Sequence, residues 1–107
     1  MPSLLVQIDR FVDEHQPGFV ECSLVDASGK KHTFIEKSPI VSTEHLFFAS
    51  EYPKPGLIAC QVEQEFLGAT GENLVQVNTN LPWHVESVVG ETQFVVLKNQ
   101  VQIEPIA

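Results

Sequence analysis

The feature that most restricts this chain is the rhythm of its apolar runs. They are short, several alternate strictly with polar residues, and each is closed by Gly, Pro, Asn, Asp or Ser. Such alternation is the pattern of a strand with one face in a core and the other in water. Residues 19–25 set Val20, Cys22 and Leu24 on one side and Glu21 and Ser23 on the other. The sequence Asp26-Ala27-Ser28-Gly29 then suits a type I turn, with Gly29 supplying the positive φ of a bulged hairpin. Residues 31–36 return as the second strand of that hairpin.

The same rhythm covers most of the chain. Residues 3–12 read as a first strand, followed by a polar exit loop ending in Pro17-Gly18. From Leu57 onward, Ile58, Cys60 and Val62 fall in one phase, and Gln61, Glu63 and Glu65 in the other. Residues 68–73 have the composition of a hairpin loop, with a strand after it at 74–79. A third hairpin is expected from residues 83–88 and 93–97, and Lys98-Asn99-Gln100 turns the chain into a last strand at 101–104.

Residues 38–55 are the least regular, because Pro39, Pro53 and Pro55 each remove a ladder donor. Thr43 suits the cap of a short helix near 43–50. The rival is an extended segment that buries the adjacent Phe47 and Phe48 on both sides.

The fold expected is therefore all-β: a small, single-domain antiparallel barrel or sandwich spanning residues 1–107, with about seven to eight short strands. Closure into a barrel removes exposed edges, which favours it over the sandwich. A chain of 107 residues accommodates one core, and 43% apolar with 19% charged residues is globular composition.

No basic leader with a long apolar run opens the sequence, and no stretch is long and apolar enough to span a bilayer. Two cysteines are too few for a disulfide-stapled secreted scaffold, so a reducing cytoplasm is expected. Fourteen acidic against six basic residues give a net charge of −8. That charge repels a phosphate backbone, which argues against nucleic acid. It would steer a basic protein toward the domain, or serve solubility alone.

Cys22 and Cys60 sit at inward positions and read as core residues, since a zinc site needs further ligands that no Cys-x-x-Cys or close His pair supplies. His15, His32, His45 and His84 are scattered. Neither a metal nor a cofactor is expected. No nucleophile elbow or phosphate-cradling Gly-rich loop is present, so no catalytic residue is assigned.

The candidates for binding are Phe47, Phe48, Tyr52, Glu63, Glu65, Trp83 and His84. Gln61, Glu63 and Glu65 would form an acidic row on one strand face. The aromatics flank turns, where large rigid side chains anchor interfaces. Trp83 would otherwise start a strand and fill one end of the core. The function expected is an acidic protein-binding or adaptor module, of the inhibitor or immunity kind, for a basic partner. The alternative is a small-ligand-binding protein or enzyme using a pocket at a barrel mouth, with His84 and Tyr52 as polar groups.

Overall fold

The computed structural model describes residues 1–103. It contains eight strands: β1 (Ser3–Asp13), β2 (Phe19–Val25), β3 (Lys31–Lys37), β4 (Lys54–Ala59), β5 (Gln61–Leu67), β6 (Asn73–Asn78), β7 (Gln93–Leu97) and β8 (Val101–Gln102). One short helix, α1 (Ser38–Val41), follows β3, and a single 3-10 turn (Lys98–Gln100) precedes β8. The strands form two antiparallel sheets, one ordered β3-β2-β1-β4 with β8 also on β1, the other β5-β6-β7. Glu104, expected at the end of the last strand, lies outside the described residues.

The β2–β3 hairpin has the expected turn. The Gly29 amide donates to the Asp26 carbonyl at 3.0 Å, and Gly29 adopts φ +88°. β1 can bury side chains along its whole length because its register shifts between Ile8 and Arg10. Leu4, Val6 and Ile8 point inward in even phase before the bulge, and Phe11 after it.

Two expectations fail. Residues 43–50 are turn and loop, and the helical turn lies earlier, at α1, where Pro39 suits a first-turn position. Local side-chain bonds compete with a helix beyond it: Ser42 Oγ accepts the Glu44 amide at 3.0 Å, and Ser50 Oγ accepts the Phe47 amide at 3.1 Å. Residues 83–88 likewise form no strand. This connection is held by isolated bonds, including Val85 N–H to the Thr79 carbonyl and Val88 N–H to the Thr33 carbonyl.

The core lies between the sheets. Leu4, Ile8, Val20, Phe34 and Ile58 meet Val75, Val77, Phe94 and Val96, and the Phe34 and Phe94 rings join the layers edge-on at 5.6 Å. Cys22 and Cys60 are fully buried free thiols. Burial pushes Cys60 up to about 11, and burial together with the nearby Asp9, Glu36 and Glu21 carboxylates pushes Cys22 up to about 12. Among the described residues no helix is long and apolar enough to cross a membrane.

Gly56 fixes how closely β4 packs. A Cβ there would meet Ile8 Cγ1 at 2.8 Å and the Val41 carbonyl oxygen at 3.2 Å, so α1 can lie against β4 only over a glycine. Gly56→Ala should lower stability by roughly 1–3 kcal/mol in urea denaturation. An unchanged midpoint would mean that α1 is not pinned to this strand. Because both thiols are buried and protonated, a thiol reagent should modify them only as fast as the protein unfolds.

Candidate functional site

β5 stands apart from the other strands. Each of its residues is exposed, and β6 is its only strand partner among the described residues. Its register with β6 breaks between Val62 and Gln64, leaving Glu63 as the extra residue of a bulge. Val62 and Glu65 stand opposite Val77 and Val75, whose side chains point into the core, so both lie on the inner face. Glu63 is turned to the outer face, where Gln76, Gln93 and Asn78 donate side-chain N–H bonds to its carboxylate at 2.9, 3.0 and 3.2 Å. The acidic row expected on one face is thus divided between two, because a bulge reverses the alternation.

The two carboxylates differ in surroundings. The side-chain amides of Gln76 and Asn78, with that of Gln93, favour the ionised Glu63 and lower its pKa. Glu65 pairs instead with Lys98 Nζ at 3.2 Å. That pair stands at a cleft of about 320 Å³ between β5 and the 3-10 turn and β8, with apolar walls of Val62, Val75, Val101 and Ile103. The cleft thus joins apolar walls to an ion pair, beside a strand bonded to β6 along one edge.

One other sequence candidate, His84, connects to Glu63 through polar side chains. Asn78 donates to Glu63 and accepts the Asn80 amide at 2.8 Å; the Asn80 side chain in turn meets His84 Nδ1. His84 takes φ +52° and reaches Glu86 at 3.9 Å through Nε2. Trp83 does not fill a core end: it is 60% exposed, and Val85 and Ser87 anchor the connection in its place.

Phe47, Phe48 and Tyr52 form a separate group. The Tyr52 hydroxyl donates to the Phe47 carbonyl at 2.7 Å, and Phe48 packs edge-on against Phe11 at 4.8 Å, while both phenylalanines remain half exposed. Nearby, a groove of about 400 Å³ runs between α1 and β4, with Leu5, Ile40 and Leu57 in its lining. Its one charged residue, Glu44, is paired with Lys54 at 3.1 Å. The β5 cleft therefore combines apolar surface with charge better than this larger groove.

A polar cluster around the buried His32 was not legible in the sequence. His32, only 6% exposed, places Nε2 at 2.7 Å from Asp26 and Nδ1 at 3.3 Å from Glu91, with its ring edge-on to Phe94. Burial raises the Asp26 pKa, but bonds from His32, Ser28 and the Lys30 and Ser28 amides outweigh it and hold the carboxyl at about 2. Lys30 extends the cluster, 3.6 Å from Glu91. Its position beneath the β2–β3 turn makes it a fastening for that turn. Among the described residues no group of His, Cys, Asp and Glu could hold a metal ion.

No protein-family model matches the chain, and neither a curated protein nor a solved structure does.

Asp26 generates a pH prediction. Its folded pKa is depressed from the ordinary 3.8 to about 2, so its stabilisation is complete above the unfolded value and lost as pH falls through the folded one. Urea melts should lose on the order of 2 kcal/mol between about pH 5 and pH 2 from this group. Asp26→Asn should be less stable at neutral pH and flatter over that range; an equal slope in the variant would place the acid sensitivity elsewhere.

Proposed function

We propose that the domain is an acidic protein-binding module that captures a basic partner on its β5 side. The observation that carries this reading is β5 itself: a strand with one edge unpaired among the described residues, exposed throughout, with two carboxylates and the exposed apolar side chains Val62, Phe66 and Leu67. Apolar area supplies affinity, and the net charge of −8 speeds encounter with a cation-rich surface. An inhibitor or immunity role suits this balance, since rapid capture of a basic toxin or nuclease is what such a field promotes. Two unpaired thiols fit action in a reducing cytoplasm.

The architecture belongs to the same proposal. The chain passes from β4 into β5 across one residue, and the Ala27 amide donates to the Val95 carbonyl at 3.0 Å, linking the β2–β3 turn to β7. These ties favour a barrel left open at β5 over two separate layers.

Affinity capture of the tagged domain from its native cell extract, at low and moderate salt, tests this. A partner of high isoelectric point should be retained and then released as salt rises. The doubly reversed Glu63→Lys, Glu65→Lys domain, with folding checked by circular dichroism, should retain about tenfold less of it. An acidic partner, or undiminished capture by the variant, would count against the reading.

A further inference from the structure

We infer that the partner is engaged by strand addition: an extended cationic segment pairs along the free edge of β5 and lowers apolar side chains toward the cleft beneath it. This rests on the binding-module reading and specifies its partner chemistry.

The outer strands β3 and β7 are each tied to another segment by a backbone bond. Thr33 of β3 accepts the Val88 amide at 2.8 Å, and Val95 of β7 accepts the Ala27 amide. β4 carries Pro55, which has no ladder donor, and α1 lies against its face at Gly56. Among the described residues, no backbone bond reaches β5 from any element except β6 and its own hairpin turn. Proteins ordinarily blunt or cover such a row of donors and acceptors, and β5 is left as the edge able to accept another strand.

The side chains around β5 define what that strand should be. On the inner face, the Val62, Val75 and Val101 walls of the cleft suit apolar residues, and Glu65 there already has Lys98 as its partner. The outer face presents Glu63, held in place by three amides and without a Lys, Arg or His partner among the described residues. An added strand shows alternate residues to these two faces, so alternating apolar and basic residues satisfy both. A second copy does not: its own β5 offers no Lys or Arg between Gln61 and Leu67 to meet Glu63, and two chains of net charge −8 repel. The charges that reject self-association thus select a cation-bearing strand.

The test uses the intact domain and a synthetic peptide of alternating lysine and valine. A second peptide has the same sequence, with backbone N-methyl groups at every other residue. N-methylation removes ladder donors while keeping the charges and side chains. At low ionic strength the unmodified peptide should bind about tenfold or more tightly than the methylated one. It should also slow amide exchange within Gln61–Leu67, and Glu63→Gln should weaken it by roughly two- to fivefold. Equal binding of both peptides, or protection elsewhere, would overturn strand addition while leaving a charge-driven basic partner intact. Failure of the unmodified peptide to bind would also overturn it; the capture experiment then decides separately whether a basic partner exists.

Discussion

Cys60 occupies the point on which the relation between the two sheets depends. It is the one residue between β4, paired to β1 in the first sheet, and β5, paired to β6 in the second. A chain that changes sheets in so short a span must bury the corner, because polar backbone at a dry junction costs free energy unless it is bonded. Cys60 meets both demands: its side chain is fully buried, and its amide donates to the Pro2 carbonyl at 3.0 Å. A small apolar side chain fits here, and a larger one would push the layers apart at Ile58 and Leu4.

From that corner the character of β5 follows. β4 packs closely at Gly56 with α1 against it, whereas β5 leaves the junction with β6 as its only strand partner among the described residues and with all its residues exposed. The bulge at Glu63 then rotates the strand, so that one carboxylate faces the outer amides and the other faces Lys98. A regular strand would have set both on the same face. The bulge is what gives this edge two chemically distinct sides.

Where alternation and turn chemistry agreed, the sequence could be read directly. Residues 19–25 and Asp26-Ala27-Ser28-Gly29 specify one hairpin because pattern and φ requirement leave few alternatives. The 43–50 loop and the 83–88 connection depart from the sequence expectation because their apolar residues have tertiary partners far away in sequence: Phe48 meets Phe11, and Val88 bonds to Thr33. Propensity in a short window carries no information about such contacts. The bulge was hidden for a related reason. Gln-Val-Glu-Gln-Glu continues the alternation without interruption, and only the cross-strand register reveals the extra residue. Glu63 and Glu65 could therefore be singled out by type, but their division between faces could not.

The His32 cluster shows how surface charge and buried charge differ within one acidic protein. Asp26 and Glu91 both contact His32, which is nearly sealed from solvent, so their bonds are spent on fixing the β2–β3 turn to the 87–91 connection. Glu63, by contrast, is exposed, and neutral amides fix its position without cancelling its charge. An amide donor stabilises the anion while leaving its field available, whereas a lysine in the same place would neutralise it. Among the described residues, β5, bonded to another strand along one edge only, thus also carries a positioned carboxylate with no cationic partner.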